Sequence, residues 1–323
     1  HIIDITFPYT KDFKKELQIP KDALYKGKPR SRIAYLCASK RMDWEPVAWT
    51  DFDGKNIVFT DIQKGPVMRV ATYERGRLRF WTDPFEINVS NEFHFFTPSD
   101  SVQDVTLFAK YTLRADDMFL NRMIGGTFEG SNDPDFREKE VLYLINEKPK
   151  RLQTVVQSYS SKPYRYVRYV GPKESHCNIA EVAFYTPNDT ASLKGKVIGT
   201  PGCFQKDGSH EYTNVFDGDV TTSFDYIEPS GGWSGIDLGI PKQIEKIVYT
   251  PRSYDNYIRS GDKYELFYCT GKDKWESLGK KVSEADSLVY RDVPVNVLLL
   301  LKNYSKGVQE RIFTYERKGQ VWK

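Results

Sequence analysis

The sequence is poor in the residues that bind transition metals or attack substrates: it has 4 His and 4 Cys in 323 residues. It contains no Cys-x-x-Cys pair and no His pair at ligand spacing, which argues against a structural zinc site. His176 and Cys177 are neighbours, and neighbours on a strand point to opposite faces, so they do not predict a catalytic dyad. No Gly-x-Ser-x-Gly elbow occurs. Among 44 acidic residues no motif selects a glycosidase pair. We therefore do not expect an enzyme.

Long apolar runs and a strong net charge are missing as well. The longest strongly aliphatic run covers residues 297–301, far short of the ~20 residues that a membrane-spanning helix needs. The 47 Lys and Arg nearly balance the 44 Asp and Glu, a net charge too mild for a dedicated nucleic-acid binder. The first residues show neither an initiator methionine nor a signal-peptide pattern, so we expect a fragment or a processed product. The sequence thus predicts neither a transmembrane segment nor a nucleic-acid partner.

Aromatic residues are abundant, with 19 Phe, 21 Tyr and 6 Trp. Short apolar runs separated by Gly, Pro and Asp-Gly turns accompany them, a pattern typical of strands. Residues 67–73 and 77–81 flank the short loop 74–76, which contains a glycine, and predict a hairpin. No helical period extends over 12 residues, and residues 138–145 are the best candidate for a short helix or turn. We therefore predict an all-β protein built of β-sandwiches.

The strand pattern divides the chain into three predicted domains. A smaller N-terminal β-sandwich would cover residues 1–85, and two further sandwiches would cover residues 86–187 and 193–323. The last two share an order of parts: a strand, an Asp-containing turn, an aromatic residue, and a Glu just before a final strand, which is Glu181 in one and Glu310 in the other. Such internal similarity predicts tandem copies of one domain.

Residues 164–169 alternate Tyr with Arg and Val. Alternating Tyr and Arg can form a stacking platform for single-stranded nucleic acid. A structural strand explains the same pattern, and the low net charge favours it. We predict the strand.

The strongest local motif is Asp217-Gly218-Asp219, followed by Thr222. Carboxylates two residues apart across a glycine, with a hydroxyl three residues on, make a tight loop rich in oxygen. Oxygen ligands at this density suit Ca²⁺, which takes six to eight of them in flexible geometry. The alternative is an ordinary Asp-Gly turn. The loop lacks the remaining pattern of an EF-hand.

Several motifs in order resemble a known domain family. They are Asp217-Gly218-Asp219 with Thr222, the stretch 233–239 (WSGIDLG), Pro251-Arg252, the stretch 264–267 (YELF), Trp275 and Glu310. This order resembles the discoidin, or coagulation factor V/VIII type C (F5/8 type C), domain, a galactose-binding-like jelly roll. Residues 130–133, 164–169 and 178–181 resemble the later half of that domain, without its Asp-Gly-Asp loop. The whole resembles the C-terminal region of exported bacterial transglutaminase-like proteins.

The resemblance implies a structural calcium ion. In this superfamily the ion is held by the Asp-Gly-Asp-x-x-Thr loop and by a Glu close to the last strand. Here the matching residues are Asp219, Thr222 and Glu310, together with backbone carbonyls near Asn214 and Asp217. The ion would rigidify the loops at that end of the sandwich.

Sugar-binding relatives use loops at one end of the sandwich. A sugar offers an apolar C–H face that stacks on an aromatic ring, and hydroxyls that need paired donors and acceptors. Loops carry such groups on rigid scaffolds. The predicted ligand-binding residues are Tyr226, Arg252, Asp255, Asn256, Tyr257 and Tyr304. The alternative is that Arg252 and Asp255 pair with each other across a turn while the Tyr residues cover the end of the sandwich.

The resulting expectation is a non-catalytic carbohydrate-binding region of a larger exported glycan-utilisation protein, located in the periplasm or at the cell surface. Its partners would be a glycan or glycoprotein and possibly an upstream catalytic domain of the same polypeptide. The alternative is a structural or protein-interaction appendage of a transglutaminase-like enzyme, with no sugar binding of its own. In an exported chain Cys203 and Cys269 could form a disulfide, which spacing alone does not decide.

Overall fold

The computed structural model of the chain describes residues 13–27, 30–52, 56–110, 114–271, 274–306, 310–317 and 319–323. Within these ranges 48% of the residues are in strands and 4% in helices, and the strands pair antiparallel, which confirms the predicted all-β class. The chain divides into two compact units: unit 1 comprises residues 1–111 and 260–323, and unit 2 comprises residues 112–259. None of the helices in the described ranges is long and apolar enough to cross a membrane.

The elements follow one another in short segments. The first part of unit 1 contains β1 (Phe13–Gln18), a 3-10 turn (Lys21–Ala23), β2 (Ile33–Ser39), β3 (Glu45–Asp51), β4 (Val58–Gln63), β5 (Val67–Glu74), β6 (Arg77–Phe80), β7 (Phe85–Ile87), β8 (Phe93–Phe95) and β9 (Val102–Leu107). Unit 2 contains α1 (Arg114–Asn121), β10 (Thr127–Ser131), β11 (Lys139–Leu144), β12 (Thr154–Gln157), β13 (Pro163–Val170), β14 (Ile179–Tyr185), β15 (Lys196–Gly199), a 3-10 turn (Tyr212–Phe216), β16 (Trp233–Gln243) and β17 (Lys246–Pro251). Unit 1 resumes with β18 (Lys263–Cys269), β19 (Trp275–Val282), β20 (Leu288–Pro294), β21 (Leu299–Asn303), β22 (Ile312–Glu316) and β23 (Gly319–Trp322).

Unit 2 is sandwich-like: two antiparallel sheets share one apolar core. One sheet has the order β11-β10-β13-β16-β15 and the other β12-β17-β14. Phe128 and Val167 from the first sheet pack in the same cluster as Phe184 and Ile247 from the second, and all four are fully buried. Each such side chain contributes roughly 1.5–3 kcal/mol by leaving water, so the sequence pattern of buried aromatic and β-branched residues holds the two sheets together.

The structure divides the chain differently from the three predicted domains. β13 pairs with β16, and β14 pairs with β17, so strands assigned to domains 86–187 and 193–323 form the same two sheets. Strands β18 to β23 lie in unit 1 instead, where β20 pairs with β9. The two similar segments therefore lie in different units, and neither is a complete sandwich by itself. Similarity along the chain does not specify which strands pair.

Two local predictions had different outcomes. The hairpin of β5 and β6 is confirmed: Arg75 and Gly76 have φ of 52° and 76°, the left-handed pair that suits a two-residue hairpin loop. The short helix or turn predicted over residues 138–145 is wrong, since Lys139–Leu144 form β11, which pairs with β10. Pairing with a neighbouring strand overrides a weak local preference.

The strand prediction for residues 164–169 is confirmed. Tyr164, Tyr166 and Tyr169 are 6%, 8% and 0% exposed, so their rings do not form an exposed stacking platform. Tyr164 and Tyr169 belong to the core cluster of unit 2, and the Tyr166 ring packs against Phe136. A register shift between Tyr164 and Tyr166 brings Tyr164 into the same core cluster as Tyr169. Strict alternation would have placed Tyr164 on the opposite face.

All four cysteines are buried and free. Cys203 lies in unit 2 and Cys269 in unit 1, and they are not joined by a disulfide.

Candidate functional site

The candidate binding site lies where three segments of unit 2 meet at one end of its sandwich. β17 ends at Pro251, which is paired with Ile179 at the start of β14. The N–H of Arg252 donates to the carbonyl of Asn178 at 3.3 Å, and the N–H of Phe224 donates to the carbonyl of Ile179 at 2.8 Å. Side chains from these segments are therefore neighbours, although Asn178 and Arg252 are 74 residues apart in sequence.

An ion pair between Arg252 and Asp225 is the centre of this loop end. Nη1 of Arg252 lies 2.5 Å from Oδ2 of Asp225 and 3.4 Å from Oδ1 of Asn178. The two charged side chains are 16% and 11% exposed, and the guanidinium lies 4.5 Å from the centroid of the Phe119 ring. A guanidinium has five N–H donors and a carboxylate two acceptor oxygens. The pair can therefore bind ligand hydroxyls and remain paired.

Two exposed aromatic rings lie beside this pair. Tyr254 is 48% exposed, and its ring centroid is 5.6 Å from that of Phe119. Phe204 is 56% exposed; its N–H donates to the carbonyl of Asp225 at 2.8 Å, and its ring meets His176 edge-on at 5.1 Å. Aromatic rings next to fixed polar groups form a surface on which the apolar face of a sugar can stack.

The loop that precedes β14 has a strained backbone. Four consecutive or nearly consecutive non-glycine residues have φ between 42° and 74°: Glu174, His176, Cys177 and Asn178. The carbonyl of Pro229 accepts the N–H groups of Ser175 and His176 at 2.9 and 3.2 Å, which ties this loop to the one before β16. Left-handed conformations of this kind persist where the surroundings over-determine them, and they concentrate at ligand clamps and active sites.

The structure does not gather the predicted ligand residues into one surface site. Arg252 is at the centre of the loop end, and Tyr226 lies in the adjoining loop, half-buried, with its ring centroid 5.9 Å from that of Phe224. Asn256 and Tyr257 are 3% and 7% exposed. Their side chains are buried in unit 2 and are not part of the exposed surface of the loop end.

Asp255 and Tyr304 are engaged elsewhere. Asp255 forms an ion pair with Arg259, so the predicted alternative of an Arg252–Asp255 pair is wrong. Tyr304 belongs to unit 1, where its hydroxyl donates to Oε2 of Glu265 at 2.5 Å. The spacing of residues 252–257 could not show which of them turn inward, because the loop bends at the left-handed Asp255, with φ of 61°.

Sequence reasoning missed several side chains of this site. Asp225 precedes the predicted Tyr226 directly, and Asn178 precedes the strand that pairs with β17. A prediction of strand pairing would have found both. Phe204 and His176 lie in loops without any local pattern, and only the folded chain identifies them.

The loop of Asp217, Gly218 and Asp219 is closed by its own hydrogen bonds. Oδ1 of Asp217 accepts the N–H of Asp219 at 2.7 Å, and Oδ2 accepts the hydroxyl of Thr222 at 2.8 Å. Gly218 has φ of 83°, a conformation that favours glycine. These hydrogen bonds are sufficient for an ordinary Asp-Gly turn, and by themselves they do not indicate a bound cation.

Glu181 on β14 brings a second carboxyl group to this loop. Its Oε1 accepts the N–H of Gly218 at 2.8 Å. Burial raises the pKa of Glu181 to about 8, and hydrogen bonding to the adjacent Asp217 carboxyl adds to the effect. Two carboxyls this close share a proton or need a positive charge. The oxygen donors of Glu181, Asp217 and Thr222 therefore fit a hard cation such as Ca²⁺.

The structure brings a different glutamate to this loop from the one predicted. Glu310 belongs to unit 1, and Glu181 is the glutamate that approaches the loop. The internal similarity contained this signal, since it gave Glu181 and Glu310 equivalent positions. The backbone carbonyl of Asn214, which the prediction names, accepts the N–H of Asp217 at 3.5 Å. In the part of the chain that the structure describes, no three His, Cys, Asp or Glu side chains converge as a metal site.

Comparison with known proteins adds no family to these observations. No family model, no curated protein and no solved structure matches the chain.

Proposed function

We propose that unit 2 is a non-catalytic carbohydrate-binding module that holds a glycan at the loop end around Arg252 and Asp225. The observation that carries the proposal is the shielded ion pair with the exposed rings of Phe204 and Tyr254 beside it. The motif order that resembles discoidin domains supports the same function. In this proposal the chain belongs to a larger exported protein of the periplasm or cell surface, and chemistry on the glycan is left to another domain.

The geometry suits a sugar for two physical reasons. The C–H face of a pyranose can stack on Phe204 or Tyr254, while Arg252 donates to its hydroxyl oxygens and Asp225 accepts from its hydroxyl groups. The strained and hydrogen-bonded loop that ends at Asn178 is already ordered. Binding then costs less conformational entropy than ordering a flexible loop would.

Glycan arrays of plant and mucin-type oligosaccharides, followed by isothermal titration calorimetry of the full chain with the strongest array hit, test this function. We expect Arg252→Ala to remove the binding event at the loop end of unit 2, because it removes the donors and leaves Asp225 unpaired. Arg165→Ala is the matched control. Arg165 forms an ion pair of 2.8 Å with Asp237 and lies near the start of β13, whereas the loop of the candidate site follows the other end of that strand. Wild-type protein that binds no glycan on the array, or equal loss in both variants, would contradict the proposal.

The same ion pair favours a second candidate function, a structural or protein-interaction appendage of a transglutaminase-like enzyme. Arg252 and Asp225 satisfy each other and connect three loops of unit 2, which needs no ligand. In this case the glycan arrays stay blank and Arg252→Ala lowers only the melting temperature. A pull-down with the catalytic region of the full-length polypeptide would then show the interaction.

The proposal includes a structural calcium ion held by Glu181, Asp217 and Thr222. The ion would supply the positive charge that lets both carboxyls ionise. Because Glu181 is on β14 and Asp217 is in the loop before β16, binding would tie the two sheets of unit 2 together. The remaining coordination sites would be filled by backbone carbonyls and water, as is usual for Ca²⁺.

A further inference from the structure

Unit 1 contains a cavity that the proposed function does not use. Its volume is about 300 Å³, and its lining includes Trp44, Phe80, Trp275, Arg69, Asp43 and Lys274. Pockets for small ligands begin at about this size, and they combine aromatic walls with a few polar groups. The volume suits a single ring-sized group, and the lining supplies three aromatic rings together with charges of both signs.

Arg69 holds the aromatic walls of this cavity in place. The side chain is fully buried, and its guanidinium lies 4.3 Å from the centroid of Phe80 and 5.4 Å from that of Trp44. Its Nε donates to the carbonyl of Thr82 at 3.0 Å, and its Nη2 donates to the carbonyl of Gly271. A cation fixed over two rings keeps both in one orientation. The walls are therefore preformed, which lowers the cost of ordering them on binding.

Three aromatic residues, Trp49, Tyr35 and Phe80, lie on the face of the sheet that borders the cavity, with the fully buried Ala71 between Tyr35 and Phe80. We call these three residues the aromatic row. Trp49 on β3 is paired with Tyr35 on β2, Tyr35 with Ala71 on β5, and Ala71 with Phe80 on β6. Residues paired in this way lie on the same face of a sheet. Three strand spacings separate Trp49 from Phe80, about 14 Å. Trp49 is 67% exposed.

The opposite face of the same sheet is the core of unit 1. Ala34, Leu36 and Val70 alternate with the residues of the aromatic row and are fully buried. Burial on the core face therefore explains the apolar residues there but not the exposed Trp49. Trp49 is on the edge strand β3, where an exposed apolar ring increases the risk of edge-to-edge association. It lies on the same face as Phe80 of the cavity lining.

We infer that unit 1 carries a second glycan-binding site, separate from the one proposed in unit 2. One sugar ring enters the cavity between Trp44 and Trp275, and further rings of the same chain follow the aromatic row towards Trp49. Asp43 and Lys274, both exposed at the cavity, supply the acceptor and donor that sugar hydroxyls require. Stacking rings separated by several strand spacings favour an oligosaccharide over a monosaccharide, because one ring cannot reach both ends.

The experiment uses the full chain carrying Arg252→Ala, so that the site in unit 2 is silent. This protein is applied to an array of plant and mucin-type oligosaccharides, and the strongest hit is titrated while tryptophan fluorescence is recorded. We expect binding to persist and to weaken at least tenfold on adding Trp275→Ala or Trp49→Ala. Tyr159→Ala is the control, since Tyr159 is an aromatic residue of unit 2 with 62% exposure.

Trp49→Ala distinguishes lost binding from lost folding, because this side chain is mostly exposed. Circular dichroism should show that the variant protein is folded. The inference is wrong if the Arg252→Ala protein binds no oligosaccharide, or if both Trp variants bind as well as the Tyr159→Ala control. It is also wrong if Trp49→Ala abolishes self-association in sedimentation while sugar binding is absent, because the aromatic row is then a protein interface. Loss of wild-type binding through Arg252→Ala alone would leave the function of unit 2 standing without this second site.

Discussion

Replacing Glu181 by glutamine is expected to remove a pH dependence from the stability of unit 2. Burial, aided by the neighbouring Asp217 carboxyl, raises the pKa of Glu181 to about 8 from the ordinary 4.5. Between these values the folded protein holds a proton that the unfolded chain has released. The stabilising contribution of this proton is therefore complete below pH 4.5 and is lost as the pH rises through about 8.

The size of the effect follows from the shift and from the exposure of the group. One pKa unit corresponds to ~1.4 kcal/mol. Glu181 is only half-buried, and screening by solvent reduces the free energy well below the full shift. We expect the wild type to lose about 2 kcal/mol of unfolding free energy relative to Glu181→Gln between pH 5 and pH 8, because glutamine keeps the neutral, hydrogen-bonded form at every pH.

Urea unfolding followed by circular dichroism, in buffer with a chelator, measures this difference at several pH values. Glu245→Gln is the control, an exposed glutamate of the same unit between β16 and β17. Free-energy curves for wild type and Glu181→Gln that run parallel from pH 5 to pH 8 would refute the argument, because the folded state would then hold no extra proton at this site.

Calcium supplies the second arm of the same experiment. An ion that binds only the folded state adds ~2.7 kcal/mol at a hundredfold excess over its Kd. Because it replaces the proton, its effect should grow with pH in the wild type and vanish in Glu181→Gln. A pH-dependent wild type that calcium does not stabilise would contradict the metal and leave the shared proton intact.

Three further predictions concern packing, charge and thiol access. Gly235→Ala should lower the unfolding free energy by about 3 kcal/mol, seen as a lower melting temperature, because its Cβ would overlap a carbonyl of the paired strand β13; an unchanged melting temperature would contradict the pairing. Asp225→Asn should cost about 2 kcal/mol by leaving the charge of Arg252 without its partner, and a cost equal to that of an exposed Asp→Asn change would show that the pair is not shielded. Cys37 and Cys177 should resist iodoacetamide at pH 8 until urea unfolds the chain, since burial raises the pKa of the Cys37 thiol to about 12 and raises that of Cys177 further; rapid native labelling would contradict this burial.

The sequence pattern was sufficient where structure depends on neighbours along the chain. Arg75 and Gly76 form the predicted hairpin loop, because a two-residue turn places strict conditions on its own φ angles. The alternating Tyr of residues 164–169 form the predicted strand, since β-branched and aromatic residues fit a pleated, half-buried surface. The predicted helix at 138–145 failed because pairing with β10 outweighs its local preference.

The candidate site could be predicted only in part, for the same reason. Arg252 was identified from its loop, but its partner Asp225 comes from a segment 27 residues away. The internal similarity makes Glu181 the equivalent of Glu310, yet it does not show which of the two glutamates approaches Asp217. Both outcomes follow from strand pairing, which joins residues that no spacing rule connects.

Residue types and periodicity determined the β class, the turns and the chemistry of the loops of this protein, because these features depend on contacts over a few residues. Which strands share a sheet was decided by tertiary structure alone: β13 with β16, and β20 with β9. Those long-range pairings place Arg252 beside Asp225 and bury Asn256 and Tyr257. The physical reason is that a sheet gains its stability from the burial of a shared face. Many different pairings of the strands are compatible with the same local pattern, and the pairing that buries the shared apolar face best is the one that forms.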